Sequence, residues 1–96
     1  MRKRYLISYD IRESSRLLRV HKKLLGYGDP VQYSVFLCEL SDREKLILIS
    51  KISEMMNLAE DSLMIVDLGP SNTKTDKRIQ TIGKNMKFRE RGAIVI

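Results

Sequence analysis

Asp10 is the residue whose type and position most clearly indicate chemistry. It ends a predicted strand over residues 4–10 and is followed by a basic helix. A carboxylate at that place, beside Tyr9 and Arg12, can hold a divalent metal ion near a phosphate group. One aspartate does not make a magnesium site by itself, but a two-fold dimer would bring a second copy across its axis. The alternative is an aspartate that only stabilises the turn into the helix.

A second candidate group lies in the run Tyr33–Phe36, which has the composition of a strand. Ser34 and Phe36 fall on one face of that strand, because side chains alternate along it. The Ser34 hydroxyl can bind a phosphate or a metal-bound water, and the Phe36 ring can stack on a base. The alternative is an ordinary strand hydroxyl beside a core aromatic.

The other reactive side chains indicate packing rather than catalysis. His21 lies on the apolar face of the first helix, and Cys38 is typical of a small buried hydrophobe. Met55, Met56 and Met64 are predicted to fill gaps in the core. With one cysteine and one histidine, the chain cannot form an internal disulfide, and the composition argues against a structural zinc site within one chain.

Four strands and two helices are predicted to position these residues. The first strand is followed by a helix with Ser14 or Ser15 as its N-cap and with Gly26 and Gly28 at its end. Next come a strand over 31–39, a helix opened by a capping box at 41–44, and strands over 63–68 and 79–82. The predicted apolar helix faces are Leu17, Leu18, His21, Leu24 and Leu25 in the first helix and Leu46, Ile49, Ser53 and Met56 in the second. Periodicity therefore indicates an α+β sandwich and leaves its topology open.

The charges are unevenly distributed along the chain, whose formal net charge is +6. Residues 1–25 hold eight Lys or Arg against two acids, and residues 74–96 hold seven against two, whereas the middle is acidic. If the two basic ends meet on one surface, that surface attracts a polyanion such as a nucleic acid. The alternative is a set of solvated lysines and arginines that keeps a small protein soluble.

Length and composition favour a single small domain. The chain has 96 residues, of which 43% are hydrophobic and 31% charged, and this excludes a disordered or low-complexity chain. No apolar run reaches the length of a membrane span, so we expect a soluble, cytoplasmic protein. The sequence ends in the apolar run Ala93–Ile96, which we expect to pair with a sheet edge of its own or of a partner.

Several short runs, in this order and spacing, resemble the CRISPR-associated protein two family. They are Tyr9–Arg12, the basic helix Arg16–Lys22, Tyr27-Gly28, Gln32–Phe36 and Asp67–Gly69. The resemblance covers almost the whole chain. The turn after Asp10 departs from it, since Glu13-Ser14-Ser15 stands where the family often has an acid followed by proline.

The resemblance implies one ferredoxin-like β-α-β-β-α-β domain over residues 1–96. In it, 77–96 would form a basic tail and a C-terminal strand that crosses to the other subunit of a two-fold dimer. That fold requires one more strand than periodicity indicates between the helices, so the 31–39 segment would carry a bend. The missing strand could instead come from a more complex path around 63–68.

The same resemblance implies a nuclease of CRISPR antiviral defence that cuts single-stranded RNA or double-stranded DNA. Asp10 would be the catalytic residue and the ligand of magnesium or manganese. The family's CRISPR-associated integrase, protein one, would be the partner in spacer acquisition. The nucleic-acid contacts would be Tyr9, Arg12, Arg16, Arg19, Ser34 and Phe36. The alternative function is a non-catalytic dimeric scaffold that clamps duplex DNA for the integrase.

Overall fold

The computed structural model describes residues 1–71 and 79–83. The elements follow the chain in the order β1 (Arg2–Asp10), α1 (Ser14–Leu25), β2 (Gly28–Gln32), β3 (Val35–Ser41), α2 (Asp42–Met55) and β4 (Ser62–Pro70). The strands form one antiparallel sheet with the order β2-β3-β1-β4. This is the ferredoxin-like arrangement, so the predicted α+β fold class is confirmed.

The segment over 31–39, predicted from periodicity as one strand, is instead part of a hairpin. Tyr33 and Ser34 turn the chain between β2 and β3, and the register shifts between the pairs Pro30↔Phe36 and Gln32↔Val35. The turn escapes detection because it contains no Gly, Asn or Asp and lies between two residues with strong strand propensity. The hairpin supplies the strand that the resemblance requires and periodicity lacks.

Strand alternation gives the sheet an inner and an outer face. The inner face buries Tyr5, Ile7 and Tyr9 of β1 and Phe36, Cys38 and Leu40 of β3. The helices close this core with Val20 and Leu24 from α1 and Leu48 and Ile52 from α2. Full burial of each such aliphatic or aromatic side chain contributes about 1.5–3 kcal/mol. Cys38 and half-buried His21 are therefore packing residues, as predicted.

The helix caps agree with the sequence in one helix and differ in the other. The capping box of Ser41 and Glu44 is present at the start of α2. The N-cap of α1 is Glu13, whose carboxylate accepts the N–H groups of Ser15 at 2.8 Å and Arg16 at 3.0 Å. The prediction of a serine cap is wrong, because a glutamate side chain fills the same role from one residue earlier.

Four further predictions about packing and strands need correction. The second helix buries Leu48 and Ile52 and leaves Leu46 70% exposed, and in the first helix Leu18 is also exposed. Met64 is exposed on the outer sheet face rather than in the core. Gly28 lies in β2, beyond Gly26, which ends α1.

Residues 79–83 form no strand, so the predicted strand over 79–82 is absent. The predicted strand at Ala93–Ile96 and most of the 77–96 tail lie outside the described residues. Within the described ranges, none of the helices is long and apolar enough to span a membrane.

Gly28 should be essential for the packing of β2 against β3. A Cβ at this position would overlap the Leu37 carbonyl oxygen and lie 2.6 Å from Cys38 Sγ. We expect Gly28→Ala to lower the free energy of unfolding by about 1–3 kcal/mol, as overpacking does elsewhere. Denaturant titration at equilibrium measures the change.

Gly26→Ala is the matched control. Its Cβ would be 3.4 Å from the Lys23 carbonyl oxygen, and Gly26 has helical backbone angles. We expect this variant to be as stable as the original protein, or more stable by up to about 1 kcal/mol. Equal unfolding free energies for the two alanine variants would contradict the proposed close approach.

Candidate functional site

Asp10 is the last residue of β1, and its side chain is exposed. It pairs with Ser62 at the start of β4. The N–H of the preceding residue, Tyr9, donates to the Ser34 carbonyl in the hairpin turn at 3.1 Å. Since the Tyr9 side chain points into the core, alternation directs Asp10 to the outer face. We call the region of Asp10, Tyr33, Ser34 and Ser62 the Asp10 end of the sheet.

Tyr9 and Phe36 belong to a buried aromatic cluster. Tyr9 is 4% exposed and Phe36 is 0% exposed. Tyr9 Oη lies 3.0 Å from His21 Nδ1, and the Phe36 ring centroid lies 6.2 Å from that of Tyr9 and 5.2 Å from that of His21. Burial, followed by the neighbouring Tyr33 phenol, raises the pKa of Tyr9. The prediction that Tyr9 and Phe36 contact nucleic acid is wrong for this arrangement, because neither ring is accessible to a base.

Tyr33 is the aromatic residue that sequence reasoning missed. It occupies the hairpin turn and is 79% exposed. It was overlooked because an assumed continuous strand made it an alternating strand residue, whereas a turn directs it to solvent. Ser34 beside it is half-buried. A phosphate contact by the Ser34 hydroxyl stays a prediction.

The three arginines predicted to bind nucleic acid differ in their surroundings. Arg12 and Arg19 are exposed. The side chain of Arg16 is only 19% exposed, and its guanidinium faces the carboxylates of Glu13, Glu60 and Asp61. Arg16 Nε lies 2.9 Å from Asp61 Oδ2, and Arg16 Nη2 lies 3.0 Å from Glu60 Oε1. Arg12 and Arg19 are therefore available to a ligand, whereas Nε and Nη2 of Arg16 are already engaged by acids of the same chain.

Asp61 is the second residue that sequence reasoning missed. Its side chain is fully inaccessible, and its carboxylate accepts hydrogen bonds from Arg16 and from the backbone N–H groups of Arg12 and Asn57. The bond from Arg16, followed by these backbone bonds, holds the pKa of Asp61 far below its usual range. The carboxylate is ionised at neutral pH, and the stability it contributes is lost only as the pH falls below the usual aspartate range.

Of the four residues that define the Asp10 end, only Asp10 carries a carboxylate, so this end of one chain is not a metal cage. Among residues 1–71 and 79–83, no group of three or more His, Cys, Asp or Glu side chains could hold an ion. Mg²⁺ accepts such a setting, because it retains several waters and uses one or two carboxylates together with substrate phosphates. The donor chemistry of Asp10 therefore fits magnesium only if ligands from outside this chain, such as a substrate phosphate, complete the site.

Comparison of the sequence with protein families and curated relatives gives a consistent result. The family described as CRISPR associated protein Cas2 matches residues 2–87. The "CRISPR-associated endoribonuclease Cas2" of Geobacter sulfurreducens is 40% identical over 93 residues, which cover 96% of this chain and 96% of the relative. The "CRISPR-associated endoribonuclease Cas2 1" of Rhodospirillum rubrum is 33% identical and covers 96% of this chain and 89% of the relative.

Solved structures show the same fold. The crystal structure of Streptococcus pyogenes Cas2 at pH 6.5 superposes with a TM-score of 0.75 at 27% identity, covering 83% of this chain and 99% of that one. A second structure, titled "Crystal structure of cas2", gives a TM-score of 0.77 at 26% identity, covering 94% and 97%. Sequence and architecture agree over most of their lengths, and the chain belongs to the CRISPR-associated protein Cas2 family.

Proposed function

We propose that this protein is a dimeric, magnesium-dependent endonuclease of CRISPR antiviral defence, acting in spacer acquisition. The observation that carries the proposal is the exposed Asp10 carboxylate at the end of β1, with the exposed Arg12 two residues further along. The Cas2 relatives named endoribonucleases support phosphodiester hydrolysis and make single-stranded RNA the first substrate to test. Double-stranded DNA is the second.

Asp10 is the residue that would hold magnesium or manganese. The ion, when bound, lowers the pKa of a bound water and neutralises charge on the phosphate. The protein's own residues attract and orient the substrate. Arg12 and Arg19 supply positive charge, the Ser34 hydroxyl can donate to a phosphate oxygen, and the exposed Tyr33 ring takes the base-stacking role first predicted for Phe36.

A two-fold dimer is supported by the outer face of the sheet, because both helices among the described residues pack on the inner face. This face carries Leu6, Val35 and Leu37 together with Met64, 59% exposed, and Val66, 38% exposed. Burial of such a face between two sheets removes apolar surface from water. A dimer formed in this way would place two copies of Asp10 in one assembly, and this would supply the second carboxylate that one chain lacks.

The second candidate function is a scaffold that clamps duplex DNA for the CRISPR-associated integrase and performs no chemistry itself. The observation that favours it is the single carboxylate at the Asp10 end, beside a helix whose exposed residues include Arg19 and Lys22. Such a scaffold would bind duplex and integrase equally well without a metal ion. The two functions therefore differ in their dependence on Asp10.

Asp10→Asn should abolish magnesium-dependent cleavage while leaving nucleic-acid binding within about threefold. The substitution keeps the size of the side chain and removes the charge that a metal ion requires, so we expect cleavage to fall by at least about 100-fold. Cleavage of a labelled RNA and of a DNA duplex, with and without chelator, measures the loss.

Asp42→Asn is the matched control for this substitution. Asp42 is also an exposed aspartate, but it follows Ser41, which pairs with Arg2 at the opposite end of β1. We expect it to cleave at the original rate. Undiminished cleavage by Asp10→Asn would overturn the enzyme proposal, and an original protein that binds but never cuts would establish the scaffold.

Nucleic-acid binding should depend on salt through the exposed arginines. Each phosphate contact releases counterions, so loss of one contact flattens the plot of log affinity against log salt by about 0.9 for a duplex. We expect Arg19→Gln to show this change and Arg43→Gln, an exposed site at the start of α2, to show none. Fluorescence anisotropy at several salt concentrations measures both slopes. A slope that Arg19→Gln leaves unchanged would remove this residue from the interface.

The dimer should depend on the outer sheet face. Val66→Glu places a charge within that face, opposite Leu6, so we expect the dimer dissociation constant to rise at least tenfold. Leu46→Glu on α2, where the leucine is 70% exposed, is the control and should leave the constant unchanged. Sedimentation equilibrium measures both constants. A dimer that Val66→Glu leaves intact would place the interface elsewhere.

A further inference from the structure

We propose that Arg16 and Asp61 form an internal clamp that positions Asp10, and that Arg16 is not a nucleic-acid contact. The clamp comprises the Asp61 carboxylate, the Arg16 guanidinium and the backbone N–H of Arg12. Its consequence for catalysis rests on the function proposed for Asp10. The geometry of the clamp does not rest on that function, and neither does the prediction that its variants leave nucleic-acid binding unchanged.

The Asp61 carboxylate joins three segments of the chain. Its Oδ1 accepts from Arg12 N at 3.0 Å and from Arg16 Nη2 at 3.2 Å. Its Oδ2 accepts from Arg16 Nε at 2.9 Å and from Asn57 N at 2.9 Å. Four donors therefore come from the loop after β1, from α1 and from the turn before β4. Together they use both oxygens of a carboxylate that has no access to water.

This carboxylate is connected to Asp10 along two paths. Arg12, whose N–H is held, lies two residues after Asp10, and the intervening Ile11 is 7% exposed within the core. Asp61 itself immediately precedes Ser62, the partner of Asp10 in the sheet. The end of β1 that carries Asp10 is thus fixed through the loop that follows it, by Arg12, and through the neighbouring strand β4, by Ser62. Misplacement of a reacting group by about 1 Å costs about 100-fold in rate.

A phosphate can engage Nε and Nη2 of Arg16 only at the expense of the Asp61 contact. The guanidinium presents Nε and Nη2 side by side to Asp61, a two-point match that lysine cannot reproduce. If Arg16 turned outward to a phosphate, it would leave a buried, ionised carboxylate without its main partner. An Arg16 side chain turned outward to a phosphate could not hold Asp61, so the two roles predict different behaviour of the same variants.

A double-mutant cycle on the dimeric protein distinguishes the roles. Asp61→Asn keeps the shape of the side chain but replaces one accepting oxygen with an NH₂ group, which would face N–H donors. Arg16→Gln removes the forked guanidinium. We expect each single variant to lower kcat about 10- to 100-fold with KM within about threefold. We expect the kcat of the double variant to be no lower than that of the less active single variant. The salt slope of duplex binding stays unchanged in all three.

Two further variants sharpen the comparison. Glu60→Gln alters the exposed acid that touches the same guanidinium from the solvent side, and we expect its kcat within twofold of the original. Arg16→Lys keeps a positive charge for Asp61 and is the variant to use if the others do not fold. We expect it to lower kcat as Arg16→Gln does, whereas a lysine that served a phosphate would restore activity.

Hydrogen exchange of the Arg12 amide gives a readout that needs no catalysis. We expect Asp61→Asn and Arg16→Gln to speed this exchange at least tenfold relative to the Ile7 amide in the same sheet. Unchanged Arg12 protection, additive losses in the cycle, or a salt slope flattened by about 0.9 in Arg16→Gln would each overturn the clamp. If Asp10→Asn still cuts, the proposed function fails, and the Arg12 amide and the salt slope still decide the clamp.

Discussion

The buried Asp61 carboxylate is the interaction on which the functional end of this small protein depends. A charge without access to water is tolerated only when it is paired and fully hydrogen-bonded. Here the pairing is provided by Arg16 and by the backbone N–H groups of Arg12, 49 residues away, and Asn57, four residues away. Satisfaction of this one carboxylate therefore requires α1, the loop after β1 and the turn before β4 to meet in one arrangement.

The two faces of the sheet have different roles, since the inner face forms the core and the outer face carries Asp10. The inner face is filled by aromatic and aliphatic side chains beneath the helices. Tyr9 and Phe36 on this face contact His21 of α1, and these contacts stabilise the strand end that carries Asp10. The outer face presents Asp10 together with an apolar surface that includes Met64 and Val66. Strand alternation makes this division automatic, because neighbouring residues of β1 must point in opposite directions. Tyr9 and Asp10 accordingly have different roles although they are adjacent.

Sequence patterns predicted the features that depend on local chemistry. Asp10 at a strand end, the Ser41–Glu44 capping box and the strand ending near Leu68 were all readable, since each follows from short-range rules. The hairpin at Tyr33-Ser34 was not readable, because neither residue is a typical turn former. The predicted base-stacking role of Phe36 failed with it, because the assumed continuous strand left the direction of that ring undetermined.

The role of Asp61 could not be inferred from the sequence for a different reason. One acid within an acidic middle region has no local signature, and its partner Arg16 lies 45 residues away. Because this pairing spans so much of the chain, the sequence gives no sign of it, and Arg16 was predicted to be one more exposed arginine of a basic helix. Local patterns identify charges, but only the fold shows which of them are internal and which face a ligand.

The central claim, that Asp10 binds the metal ion at which a phosphodiester is cut, is tested most directly by crystallography. Crystals of the dimer would be grown with Mn²⁺ and a short RNA that carries a non-hydrolysable linkage at the cutting position, and the manganese would be located by its anomalous scattering. The account predicts a peak about 2.2 Å from an Asp10 carboxylate oxygen, with the RNA backbone completing the site. A manganese peak on other side chains while the RNA is bound, or bound RNA with no peak near Asp10, would contradict it.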